Sequence, residues 1–294
     1  MAQTLIALLK KPWLNGYPLF GLIVVPISAW LFWAMGQVDT TTGAGVSGMV
    51  GRSVRLAIPW LYLAFSASAL QILNPGGFSL WLLRNRKYIG LAFAAVMGWQ
   101  AFFILWLVLG HTQYYIDEVY VMRDAIEGVI GYSFLVALTV TSFMPVRKRM
   151  RPKHWKWLHK IGIYSLWIYA FATYWWAHAY YDDPRFIDHF YYWMGFLAWG
   201  LRALAWRKKR VQLALRNHTD QAVPAGAMVV GVMLILCGLV ATATGPLWQS
   251  GSEALLYGYG PTTWAELYLP YWPFEPFLPL ALIGAGLWFT SVMR

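Results

Sequence analysis

An all-α, polytopic membrane bundle of about eight transmembrane helices with both termini cytoplasmic is the architecture that three observations predict. The first is composition. Of 294 residues, 59% are apolar in the broad sense, 18% are aromatic and only 12% are charged. A soluble domain carries about 25% charged residues, so half of the usual solvating surface is missing. The second is patterning: mean hydropathy is +0.48, and apolar windows long enough to cross about 30 Å of hydrocarbon recur along the chain. The third is the sidedness of charge, which fixes orientation.

The predicted spans are 17–36, 55–74, 88–110, 125–145, 157–179, 190–206, 224–244 and 276–293. The sixth and eighth are short, and Arg202 sits near the end of the sixth, so seven spans plus a re-entrant piece also fit. Lys10 and Lys11 precede the first apolar run, and no small-residue cleavage pattern follows it. With the N-terminus in the cytoplasm, nineteen of the twenty-three Lys and Arg residues fall inside. Only Arg52, Arg55, Arg123 and Arg185 fall outside, together with eleven of the twelve acids. The net charge of +11 is thus a record of topology and calls for no nucleic-acid partner.

This layout divides the chain into a cytoplasmic segment 1–16, a six-helix membrane domain 17–206 and a basic cytoplasmic linker 207–223. The final part, 224–294, holds two further spans joined by an outer loop, 245–275. Within that loop "YGYGPTTWAELYLPYWPFEPF" is dense in proline, and each proline removes a backbone donor, so the run is expected to be irregular. Trp264, Tyr268, Tyr271 and Trp272 are expected at headgroup depth, either as an aromatic belt or as a docking surface for a partner. The nineteen tryptophans exceed what a belt requires and also hint at a partner. The single cysteine, Cys237, cannot form an internal disulfide.

Several kinds of chemistry find no support. "GAGVSG" at 43–48 follows no strand, so it is no phosphate loop. Serines and threonines lie scattered without a nearby base, no nicotinamide- or flavin-binding module is fused to the chain, and matched halves expected of a transporter are missing. That leaves the six histidines. His154 and His159 open the fifth span on the inner side, and His218 lies in an inner loop. His111 ends the third span, His178 ends the fifth and His189 begins the sixth, all on the outer side. Histidines at helix ends are either interfacial polar groups or, paired across neighbouring helices, axial ligands of a heme.

The runs "GRSVRLAIPWLYLAFSASAL" and "LLRNRKYIGLAFAAVMGWQAFFILWL" resemble the second and third helices of the ferric-reductase-like transmembrane domain family. The matching elements are Gly51-Arg52, Arg86-Lys87 and Ile89-Gly90-Leu91. "ALTVTSFMPVRKRMRPKHWKWLHKIGIYSLWIY" is similar to the family's basic loop followed by Trp–x–x–Leu–His–Lys, here Trp155, Leu158, His159 and Lys160. The resemblance is strongest over 45–180 and is greatest to the heme-binding membrane subunits of bacterial methionine-sulfoxide reductase systems. It implies an integral subunit of the bacterial inner membrane that carries electrons across the bilayer through b-type heme, fed by a separate redox partner.

The ligand positions that the family implies are only partly kept. His159 holds one. Gln100, ten residues beyond Gly90, holds the second, and Ala172 or Thr173 the third. The candidate heme ligands are therefore His159, His111 and His178, the last two displaced toward the outer face. His111 keeps the helical phase of Gln100, whereas His178 is rotated by about 140° from Thr173. The alternative is a heme-less structural or assembly subunit of a larger membrane complex. Arg86 and Lys87 are candidate inner-face contacts for an anion or a cofactor phosphate. His178, Asp182, Asp183 and His189 have ligand types that suit a divalent cation, without a recognised spacing.

Overall fold

The computed structural model describes residues 7–180, 183–216, 223–257 and 275–291, and among them there are helices and no strands. The principal helices are α1 (Tyr17–Met35), α2 (Gly43–Leu73), α3 (Gly77–Gly110), α4 (Met122–Thr141), α5 (Pro152–Ala179), α6 (Phe186–Arg216), α7 (Ala225–Ala243), α8 (Gly245–Tyr257) and α9 (Phe277–Phe289). Five of these, α1, α2, α3, α4 and α7, are long and apolar enough to cross a membrane. The chain is a multi-pass membrane protein. Helices α5 and α6 have the length, at 28 and 31 residues, but dilute their apolar runs with lysine, arginine, tyrosine and tryptophan. Helix α9 is apolar throughout and has 13 residues.

Several elements extend past the apolar runs that predict them. Helix α2 begins at Gly43, twelve residues before the predicted span that starts at 55. Val46 and Met49 on its first turns are fully buried, and that packing outweighs the low helix propensity of the three glycines among its first six residues. Helix α6 runs on to Arg216, so the first part of the stretch 207–223 is helical. The loop 245–275 likewise opens with a helix, α8, which accommodates Pro246 because it stands in the first turn, where a missing N–H costs nothing. Trp264, Tyr268, Tyr271 and Trp272 lie outside the described residues, as do Asp182 and His218.

The chain forms two compact units. One comprises Met1–Ala67 and Gly76–Trp167, the other Ser68–Pro75 and Ile168–Arg294. In the first unit α1 packs on α3 around Leu31, Ala34, Met49 and Phe103, flanked by Trp99 and Trp106. Trp99 Nε1 donates to Ser28 Oγ at 2.9 Å, so the indole is satisfied within the apolar layer. The segment before α1 is tied to α3 by a polar knot. Gly16, at φ +71°, a conformation natural to glycine, donates its N–H to Asn85 Oδ1 at 3.0 Å. Asn85 Nδ2 in turn donates to Asn15 Oδ1 and Trp81 O. Asn85 is buried, so Asn85→Ala strands these partners and is expected to cost about 1–3 kcal/mol. Unfolding of the solubilised protein by SDS titration measures this, and an unchanged midpoint would refute it.

In the second unit the basic end of α6 caps other helices. Lys208 Nζ donates to Ile72 O and Leu73 O at the end of α2. Arg207 donates to Thr290 Oγ1 and Thr290 O at the end of α9. Such cations suit the carbonyl-rich C-terminal ends of helices. Helices α7 and α9 pack backbone to backbone through Gly231, Gly238 and Gly286. A buried aromatic stack of Phe171, Trp175 and Tyr192, joined by Trp248 of α8, fills the space between α5, α6 and α8.

Candidate functional site

His159 lies in the first unit, at the end of α5 that the basic loop leads into. Trp155 precedes it by four residues, so the two rings share a face, with centroids 4.3 Å apart and planes tilted by 33°. Trp155 Nε1 donates to Thr141 O at the end of α4, at 3.0 Å. His159 Nε2 lies 3.0 Å from Thr141 Oγ1. The threonine hydroxyl donates to Ala137 O at 2.6 Å. Having one proton, it accepts from the imidazole, which assigns the Nε2–H tautomer. His159 and Trp155 together therefore clamp α5 to the end of α4.

A cationic, aromatic layer surrounds this clamp. The Arg147 guanidinium lies 4.3 Å from the Trp155 ring centroid. Lys87 Nζ stands 5.6–5.9 Å from the rings of Tyr17, Tyr88 and Phe143. The charges of Arg86 and Arg147 both act on the His159 ring. Arginine and lysine on aromatic faces gain cation–π attraction while keeping their charge available to an anion.

The other positions at which the resemblance implies ligands are filled otherwise. Gln100 Oε1 accepts a hydrogen bond from Tyr132 OH of α4 at 2.8 Å. Ala172 is buried and offers no donor atom, and Thr173 turns its hydroxyl back onto Tyr169 O. His111 is the C-cap of α3, 25 residues beyond Arg86 and so roughly 37 Å along the helix from the His159 end. His154 is exposed.

In the second unit His178 and His189 meet across α5 and α6, their ring centroids 4.5 Å apart and their planes at 71°. Asp188 is buried and held by Arg185, whose Nε donates to Oδ2 at 3.0 Å. Asp183 is exposed. Among the described residues no group of three or more His, Cys, Asp or Glu is placed to hold a metal ion.

These positions test the fit of a bis-histidine heme. Two axial imidazoles on one iron stand on opposite sides of a porphyrin, with centroids about 6 Å apart at metal–nitrogen distances of about 2 Å. His178 and His189 are too close for a porphyrin to pass between them. In the first unit, His159 and His111 sit at opposite ends, and His154 is on the same helix as His159, so neither can complete a pair. Among the described residues of either unit, the histidines do not fit a bis-histidine heme. The Trp–x–x–Leu–His context singles out His159 in the sequence, whereas nothing there marks Thr141, whose contact depends on the register of α4 against α5. Nor did it foresee the Trp175, Tyr192 and Trp248 stack, because aromatic residues at a helix end carry no signal of which neighbours they meet.

The fold and the basic aromatic layer define a multi-pass helical membrane protein. Part of the chain is similar to a curated protein of Herminiimonas arsenicoxydans, the protein-methionine-sulfoxide reductase heme-binding subunit MsrQ. The two are 28% identical over 107 residues, which is 34% of this chain and 45% of that protein, so the match spans less than half of the relative's length. No family profile matches the chain, and no solved structure matches it.

Proposed function

We propose that this chain is an integral membrane subunit of ferric-reductase-like ancestry that has given up the bis-histidine heme and serves as a structural or assembly subunit of a larger membrane complex. The observation that carries this reading is Gln100. Where the family resemblance implies an iron-ligating histidine, a glutamine is engaged by Tyr132 of the neighbouring helix. Glutamine is a poor iron ligand, and Ala172 at the third position is no ligand at all. His159, the retained member, acts as a donor in a helix-to-helix clamp. The basic layer of Arg86, Lys87 and Arg147 faces the anionic headgroups of the cytoplasmic leaflet. The sidedness of charge supports both termini in the cytoplasm and a place in a bacterial inner membrane, with the lipid bilayer and neighbouring membrane subunits as partners.

A second reading is favoured by the similarity to a heme-binding subunit and by the retention of His159 in its motif. In it the chain is an electron-transfer subunit, with b-type heme as cofactor and a separate redox partner. A reduced-minus-oxidised absorbance spectrum of the purified full-length protein, expressed with ample heme, separates the two. The heme-less reading expects no b-type α-band. A band present in the wild type and lost in His159→Ala would overturn it in favour of electron transfer.

A further inference from the structure

Three features of the second unit converge at the facing ends of α5 and α6. His178 and His189 approach to 4.5 Å between centroids with no hydrogen bond joining them. His178 Nδ1 is buried and has no hydrogen-bond partner among the described residues. One turn earlier on the same helix, Trp175 is fully buried and its Nε1 is also without a partner among the described residues. Buried polar atoms are nearly always satisfied, so an orphaned imidazole nitrogen beside a second imidazole marks a place suited to a polar guest.

The spacing of the rings is compatible with a shared metal ion. An imidazole nitrogen binds zinc at about 2.0–2.1 Å, which puts the ring centroid about 3.2 Å from the metal. Two such rings stand about 4.5 Å apart when the N–metal–N angle is near 90°, about 5.2 Å at the tetrahedral angle, and about 6.4 Å when they are opposed. The observed 4.5 Å lies at the cis end of this range. The ligand type narrows the choice further. Neutral imidazoles favour copper, zinc and nickel over magnesium or calcium, which require oxygen. Asp188 is committed to Arg185 and supplies no free carboxylate. Tyr192 stacks flat on His178, with centroids 5.3 Å apart, and fixes the plane of that ring.

We propose that His178 and His189 form a two-histidine, cis-coordinating site for a borderline divalent transition-metal ion, Cu2+ or Zn2+, whose other positions are filled by water. The site is independent of any heme, so its failure would leave the reading of the preceding subsection untouched.

Cu2+ titrated into the untagged full-length chain in detergent, followed by electron paramagnetic resonance, tests it directly. The expected result is one bound ion per chain with superhyperfine coupling to two imidazole nitrogens. His178→Gln and His189→Gln are each expected to weaken binding at least tenfold, while His154→Gln leaves it unchanged. Absence of a bound-copper signal, or binding that survives in the double variant, overturns the proposal. A measurement on the wild type covers the case in which a variant fails to fold. Zn2+ is expected to protect His178 and His189, but not His154, from diethyl pyrocarbonate, as read by mass spectrometry. Equal modification with and without zinc overturns the proposal as well.

Discussion

Trp175→Ala is expected to destabilise the second unit by about 3–5 kcal/mol, the range for removing a fully buried tryptophan. The indole is completely buried. It lies 5.7 Å from the Tyr192 ring centroid and 5.6 Å from that of Trp248. Gly245, at the start of α8, has no side chain because any Cβ there would overlap the Trp175 ring. The neighbours are thus rigid rings and backbone, which cannot collapse into the space an alanine leaves. In a membrane protein the loss is chiefly one of dispersion contacts, since lipid tails are as apolar as the core itself. Trp175→Phe keeps part of the ring area and should recover much of the deficit. SDS-titration unfolding of the solubilised protein provides the measurement. An alanine variant within 1 kcal/mol of wild type would mean that the stack does not support the unit.

Much of the architecture is legible in the sequence because hydrocarbon thickness imposes a length on apolar runs. The cores of α1, α3, α4 and α7 fall where the windows predict them. What escapes the reading is set by contact. The second predicted span starts at 55, where the apolar run begins, yet Val46 and Met49 find a fully buried face and the helix starts at Gly43. The resemblance draws notice to His159 and to Gln100, where it implies a histidine, but which atoms satisfy them requires knowing that α4 brings Thr141 and Tyr132 alongside. His178 and His189 are both visible as residues at span ends. That they face each other depends on the phase at which α5 ends and α6 begins, and no periodicity encodes it. The ion pair of Arg185 with Asp188, three residues apart at the start of α6, is the sort of local feature that spacing alone could have revealed.

Gly286→Leu is expected to separate α9 from α7 and to cost about 3 kcal/mol or more, at the upper end for overpacking. A Cβ at Gly286 would stand 2.6 Å from Ile235 Cγ1 and 2.9 Å from Ile235 N, and would also meet Gly231 O. Two of these three atoms are backbone, so no change of rotamer relieves the clash. The interface is reciprocal. A Cβ at Gly231 would meet Gly286 O at 2.9 Å, and one at Gly238 would meet Pro279 O at 2.7 Å. Gly231 and Gly238 are seven residues apart and so lie on one face of α7, two turns from each other. Small residues at such positions let membrane helices approach closely enough for dispersion to hold them, where apolar burial alone offers no advantage over lipid. Parting the helices would also draw Thr290 away from Arg207, whose guanidinium caps the end of α9. The variant should therefore show faster amide hydrogen exchange throughout α9 along with a lower unfolding midpoint. Gly284, where an added Cβ meets nothing within 4 Å, provides the control on the same helix. Gly284→Ala should leave exchange in α9 slow. If Gly286→Leu did the same, the glycine contact would not be what holds the pair together.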